Sequence, residues 1–264
     1  MRKLNLECMR NKLKNFFSMI IMSGILMVML SSCTARHIET VRMNSAVPSL
    51  DLGVNIMRQG CYHAVAPGET LWRISQMYDV DVETIRSVNN IGDVRDIDIG
   101  RRLYVPKAAE RKDLITLYPA MKWNYIVIHH SATDNGNSAK FNKAHLKRGW
   151  KGVGYHFVID NGTCGKDNGQ IEMSPRWIQQ TDGAHCKADG MNSRAIGICL
   201  VGNFSVDDVS TEQLNSLIYL VNTLRAYYKI PKTKILGHGQ VCGAKTECPG
   251  TRFPWKEFWR RVGR

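Results

Sequence analysis

Residues 125–133 read YIVIHHSAT. The first four are aromatic or β-branched, the composition of a strand buried in a sheet. The strand then ends in two adjacent histidines, His129 and His130, followed by small polar residues. A buried imidazole without a partner costs free energy, so each ring needs a carbonyl, a carboxylate or a metal. What else the chain brings to that end of the strand decides which.

Working outward, GYHFVID (154–160) reads as a second strand, and Asn161-Gly162 after it is a hairpin turn signal. RAIGICLVGNF (194–204) is a third, almost continuously apolar strand, as expected at a sheet centre. TKILGH (233–238) is a fourth, and it too ends in a histidine, His238. A short amphipathic helix is expected over 138–149 and a long one over 210–230. In the long helix Ser210 and Gln213 fit a capping box, and Leu214, Leu217, Ile218, Val221 and Leu224 share one face. A last helix runs over 254–262, with Pro254 in its first turn. Strands alternating with helices predict an α/β domain over 119–264, a central mixed sheet with flanking helices.

Cys248 follows His238 by ten residues, in GQVCGAKTECPG. Two histidines and one cysteine are a usual three-ligand set of a catalytic zinc site. Thiolate and imidazole suit zinc better than the hard cations. A position left to water would supply a nucleophile at neutral pH. The residues alone leave alternatives open: strand-end histidines are often only hydrogen-bonded, and Cys248 could be a disulfide partner or a buried thiol.

The N-terminal part is organised differently. Arg2, Lys3, Arg10, Lys12 and Lys14 precede an apolar run over 16–30, FFSMIIMSGILMVML. That run has the length of a secretory core and is short for a membrane span. LSSC (30–33) resembles a bacterial lipobox, so residues 1–32 read as a lipoprotein-type signal peptide with Cys33 acylated. A plain signal peptide or an uncleaved anchor is the alternative. Residues 33–60 read as a tether. Residues 61–106 give strand, helix, helix, strand, with Asp81 as an N-cap candidate. Residues 107–118, KAAERKDLITLY, read as a charged linker. Export permits disulfides among Cys61, Cys164, Cys186, Cys199, Cys242 and Cys248, but their spacing assigns no pairing. Cys199, inside an apolar strand, is expected to be a buried free thiol.

The 264 residues carry a formal net charge of +13. Such a balance favours an anionic partner. No interleaved basic and aromatic stripe and no nucleic-acid motif is present, so nucleic acid is not expected. An anionic wall polymer and an anionic membrane fit the charge, and a monomer is expected.

Two resemblances sharpen this reading. YHAVAPGETLWRISQMYDVDVETIRSVNN, followed by DIGRRLYVP, resembles a LysM module, a small βααβ domain that binds peptidoglycan-like glycans in a shallow groove. Pro67, Gly68, Glu69 and Thr70 match its first groove-lining loop, and residues 89–92 lie near the second. Turn and cap chemistry explains each of these residues equally well. IVIHHSAT, GWKGVGYHFVIDNGT, NSRAIGICLVGNF and ILGHGQVCGAKTECPGTRFP resemble, in order, the zinc amidases that include phage-type lysozymes and the peptidoglycan recognition proteins. The resemblance implies hydrolysis of the amide between N-acetylmuramic acid and L-alanine of the stem peptide.

By that resemblance His129, His238 and Cys248 hold Zn2+. Tyr155 stands beside the attacking water, and Thr246 occupies a position that holds lysine or threonine in relatives, with Lys245 beside it. His130, His185, Asn203 and Lys245 are expected to contact substrate. His145 is expected on an exposed helix face and His156 in a structural role. The implied location is the cell envelope, lipid-anchored on the outer membrane or periplasmic face. Some relatives have lost the cysteine ligand and only bind peptidoglycan, so a non-catalytic binder is the alternative; the presence of all three ligands and Tyr155 argues against it. A wall cysteine peptidase and an enzyme acting on small soluble muropeptides are further rivals.

Overall fold

A computed structural model describes residues 58–263 of the chain. The signal peptide, the lipobox with Cys33 and nearly all of the tether lie outside the described residues. Among the described residues no helix is long and apolar enough to cross a membrane.

The small module has the expected order. Strand β1 (Gln59–Ala64) pairs antiparallel with β2 (Arg102–Ala108), and helices α1 (Leu71–Tyr78) and α2 (Val82–Val88) lie between them in sequence. Both helices start at capping side chains. Thr70 accepts from the Arg73 N–H at 3.2 Å, and Asp81 from the Thr84 N–H at 3.0 Å. Leu71, Ile74, Ile85, Leu103 and Val105 form its core, each fully buried.

Residues 107–118 are not a free linker. The Ala109 and Lys112 N–H groups donate to the Tyr78 and Met77 carbonyls, both at 2.9 Å. Toward the second domain, Asp113 accepts from the Ile171 N–H at 3.4 Å. The Thr116 carbonyl accepts from Trp177 Nε1 at 2.8 Å, and the Tyr118 carbonyl from the Tyr228 hydroxyl at 2.7 Å. Two of the charges that suggest a solvated segment are partnered, since Arg111 pairs with Asp113 and, at 2.8 Å, with Asp167, while Lys107, Glu110 and Lys112 are exposed. Leu114 packs on the small core, and Ile115, Leu117 and Tyr118 pack on the large one.

The second domain is built on a five-stranded sheet of order β5-β4-β6-β3-β7. Its strands are β3 (Tyr125–His130), β4 (Phe157–Asn161), β5 (Asn168–Met173), β6 (Ala195–Leu200) and β7 (Ile235–Gly237). All neighbours are parallel except β4 and β5, so the sheet is mixed, as expected. Along β3 side chains alternate between the two faces. Ile126 and Ile128 join Ile196, Ile198, Phe157 and Ile159 in the main core. That face meets Leu217, Leu220, Val221 and Leu224 of helix α6 (Thr211–Tyr228), which Ser210 caps through the Gln213 N–H at 3.1 Å. Each such side chain contributes roughly 1.5–3 kcal/mol by leaving water. Val127 and His129 point to the opposite face.

Three elements were not expected: β5 and the short helices α4 (Pro175–Ile178) and α5 (Met191–Arg194). The β5 sequence, NGQIEM, hides its burial because Gln170 and Glu172 are buried polar residues. Glu172 is ion-paired with the equally buried Lys166 at 2.8 Å. The β4–β5 connection is also longer than a two-residue turn, since Asn161 pairs with Asn168 across a bulge. Thr163 donates to Asn161 Oδ1 at 2.6 Å and stabilises the wider loop. Helix α3 (Ser138–Lys147) is capped by Asn137, which accepts from the Lys140 N–H at 2.8 Å. His145 on α3 is buried, contrary to expectation: its Nδ1 accepts from the Gly154 N–H at 3.0 Å, and its ring lies 4.7 Å from that of Trp150. Helix α7 (Trp255–Arg261) closes the described chain.

Candidate metal centre

The sheet topology brings the two strand-end histidines together. In the β3–β7 pairing Ile128 is opposite Gly237. The next residues, His129 and His238, are therefore neighbours at the carboxyl ends of adjacent parallel strands, the usual place for a site in an α/β sheet. Their ring centroids are 4.7 Å apart. The loop after β7 then doubles back: the Gly239 N–H donates to the Cys248 carbonyl at 2.7 Å. A Cβ at Gly239 would sit 2.3 Å from the Thr246 carbonyl oxygen, so only glycine lets the loop close this tightly. Thr246 Oγ1 accepts from the Cys248 N–H at 3.1 Å.

Cys248 Sγ lies 3.7 Å from His129 Nδ1 and receives the His130 N–H at 3.4 Å. One ligand atom each from His129, His238 and Cys248 lie within 4.8 Å of one another, the only such His, Cys or carboxylate group among the described residues. His129 and Cys248 are buried and His238 is partly exposed, so the cluster opens on one side.

The electrostatics suit a cation. Burial, then the neighbouring His185 and His238, hold the His129 imidazolium pKa well below its ordinary value. Burial lowers His238 as well. Both rings are thus neutral near pH 7, the form that ligates metals. Burial pushes the Cys248 thiol up to about 12, against the favourable His130 N–H. A thiolate there needs a positive charge beside it. Two neutral imidazoles and one such thiol, with a backbone N–H already aimed at the sulfur, form a donor set that fits zinc.

Tyr155 precedes β4, with its ring centroid 5.3 Å from that of His129. Cys199, then burial, then Cys248 hold its phenol well above the ordinary value, so it remains a hydrogen-bond donor. His130 is half-buried, and its Nδ1 accepts from the Phe204 N–H at 3.1 Å. Asn203 Oδ1 accepts from the Ser205 N–H at 3.3 Å, the turn chemistry of a strand end. Lys245 and Thr246 are exposed in the loop that carries Cys248. His185 is the clear departure from expectation. It is 8 % exposed, and Gly183 and Gly197 enclose its ring. Its Nδ1 lies 3.0 Å from His129 Nε2 and its Nε2 lies 3.3 Å from the Ala195 carbonyl oxygen. Both nitrogens are engaged inside the protein, so the structure offers neither of them as a free hydrogen-bonding group to substrate.

The N-acetylmuramoyl-L-alanine amidase family matches residues 119–251, which is half of the chain. The chain belongs to that family. A LysM domain matches residues 63–106 ahead of it. The amidase is 31% identical to peptidoglycan-recognition protein SC2 of Drosophila simulans, over 51% of this chain and 72% of that protein. It is 32% identical to the endolysin of Escherichia phage T7, over 52% of this chain and 85% of that protein. Among solved structures it is similar to the endolysine N-acetylmuramoyl-L-alanine amidase LysCS of Clostridium intestinale, 36% identical over 54% of this chain and 84% of that chain, with a TM-score of 0.46. The protein is therefore a peptidoglycan amidase that carries a LysM domain, and a cell-wall-associated or extracellular protein.

The LysM loop of the amidase is partly enclosed, with Gly68 and Thr70 exposed. Pro67 is buried, and a Cβ at Gly68 would lie 2.8 Å from Ile178 Cδ1 of α4. Glu69 accepts from the Ala66 N–H at 2.7 Å and pairs with His63 at 2.8 Å. Burial alone would raise its pKa, but Lys166 and His63 bring it down to about 2. Cys61, Cys164, Cys186, Cys199 and Cys248 are free thiols, and Cys199 is buried as expected. The residues that sequence reasoning missed are Gly183, Gly197 and Asn192. They shape the pocket of His185 from three separate segments, and no spacing signals them.

Proposed function

We propose that the amidase is zinc-dependent and that His129, His238 and Cys248 hold the ion. The observation that carries this is the convergence of their three ligand atoms within 4.8 Å at the open end of the sheet. When bound, zinc supplies a Lewis acid and a nucleophilic water at neutral pH. The chain's own groups do the rest. The Tyr155 hydroxyl, kept protonated, donates to the oxygen of the scissile carbonyl as charge develops on it. Thr246 and Lys245 are the groups offered for proton return to the departing L-alanine nitrogen. Thr246 Oγ1 already accepts from the Cys248 N–H, which leaves its own O–H to donate. Threonine is a poor proton carrier, so the Lys245 ammonium is the better source. His130, Asn203 and Lys245 flank the site as substrate contacts.

The substrate is the intact wall: the LysM domain holds the glycan strand while the site cuts the stem peptide from N-acetylmuramic acid. The lipobox with Cys33 supports a lipid anchor in the envelope, on the outer membrane or periplasmic face, and the net charge of +13 favours the anionic wall and membrane. The protein acts as a monomer. Digestion of purified peptidoglycan, with and without a chelator and with zinc added back, tests the proposal by mass spectrometry. Stem peptides with a free L-alanine amino terminus, lost on chelation and restored by zinc, are expected. Release that is indifferent to chelation would contradict zinc dependence.

A further inference from the structure

His129 has two ring nitrogens, and the structure gives each a different neighbour. Nδ1 faces Cys248 Sγ at 3.7 Å, while Nε2 faces His185 Nδ1 at 3.0 Å. A ligating Nδ1 carries no proton, so the proton of neutral His129 is on Nε2. Nε2–H then donates, and His185 Nδ1 must accept. The proton of His185 is in turn on its own Nε2, which lies 3.3 Å from the Ala195 carbonyl oxygen. A carbonyl can only accept, so the far end of the chain of bonds agrees with the near end.

The fold holds His185 for this contact. Its N–H and that of Cys186 both donate to Asn192 Oδ1, at 2.8 and 2.7 Å. The Gly183 N–H donates to the Asn192 carbonyl at 2.8 Å. A Cβ at Gly183 or Gly197 would come within 2.3 or 2.4 Å of His185 Cδ2, so the ring has a slot that two absent side chains leave. Behind it, His156 accepts the Gly197 N–H at 2.9 Å, and its ring stands edge-on to His185 at 5.6 Å.

We propose that His185 is a positioning residue for the metal centre. By accepting the Nε2–H of His129 it fixes the ring orientation and the tautomer that leaves Nδ1 bare for the ion. A metal-ligating histidine commonly passes its second N–H to a carboxylate, a carbonyl or water. Here an imidazole takes that place and relays the bond to the main chain. The inference rests on the zinc reading given above.

The test is zinc affinity of the purified chain, by competition with a chromophoric chelator, for the wild type, H185L and H185N. Asparagine places Oδ1 where His185 Nδ1 stands and keeps the acceptor. Leucine fills the slot without one. The expected result is a loss of about 10–100-fold in zinc affinity for H185L and recovery of most of it in H185N. H185L binding zinc as tightly as the wild type, or H185N losing as much as H185L, overturns the role of His185. A wild type that binds no zinc would instead sink the metal reading itself. Long-range 1H–15N spectra of the wild-type imidazoles give a second readout that depends on no variant. His185 and His129 are both expected as Nε2-protonated tautomers, and an Nδ1-protonated His185 overturns the proposal.

Discussion

The two faces of the central sheet are both buried, yet they are built by opposite rules. One face presents Ile126, Ile128, Ile196 and Ile198 to helix α6, an almost wholly apolar contact in which buried Gln213 donates to the Ile159 and Val201 carbonyls. The other carries His129 on β3 and the side chains that pack over it, His185, His156, Tyr155 and Cys248. There the histidine rings are held nitrogen to nitrogen, His129 to His185, or by main-chain groups, His185 at Ala195 and His156 at Gly197. Period-two alternation along a single strand is enough to separate stability from chemistry. Substitutions on the first face should therefore cost folding, and substitutions on the second should cost reaction.

The largest expected effect is on the second face. H129A removes a proposed zinc ligand, and loss of several kcal/mol of transition-state stabilisation lowers activity by at least about 10³-fold. Zinc content and peptide release measured together check this, and a folded, active, metal-free variant would break the comparison. Next is Leu217→Ala on the α6 face, expected to cost about 2–5 kcal/mol in denaturant unfolding while turnover per folded molecule is unchanged. A fall in turnover without a fall in stability would show that the faces are coupled.

Tyr155→Phe sharpens the contrast, since it deletes one hydroxyl and little volume. It should lower the rate about 10²–10³-fold, with the melting temperature near that of the wild type. The smallest effect lies away from the sheet, at Glu69. Its pKa is held at about 2 against an ordinary value of 4.5, so its stabilisation is present above about pH 4.5 and lost as pH falls towards 2. E69Q should flatten the acid limb of the stability profile by on the order of 1–2 kcal/mol, read as a smaller change in melting temperature between about pH 5 and pH 3. An unchanged acid limb would remove Glu69 from the contacts that stabilise the small module.

Much of this was legible in the sequence, for identifiable reasons. The βααβ module, the four parallel strands and helix α6 follow from local periodicity, caps and strand-end residues, whereas the set His129, His238 and Cys248 came from two strand-end histidines read together with the family resemblance. What was not legible depends on contacts between distant segments. His185 looks like a cleft residue by position, and only the slot between Gly183 and Gly197 turns it towards His129. β5 was hidden because Glu172 and Gln170 are polar but buried, with Lys166 as the cation that makes the burial of Glu172 tolerable. Residues 107–118 looked solvated because two of their charges find partners far along the chain, Arg111 at Asp167 and Asp113 at Ile171.

The central claim is that the polar face of the sheet is a zinc centre built from His129, His238 and Cys248. X-ray absorption at the zinc edge of the purified, zinc-loaded chain tests it most directly. The expected shell has two imidazole nitrogens at about 2.0–2.1 Å and one sulfur at about 2.3 Å, with the sulfur lost in C248S. A shell without sulfur, or one whose sulfur survives C248S, would contradict the account.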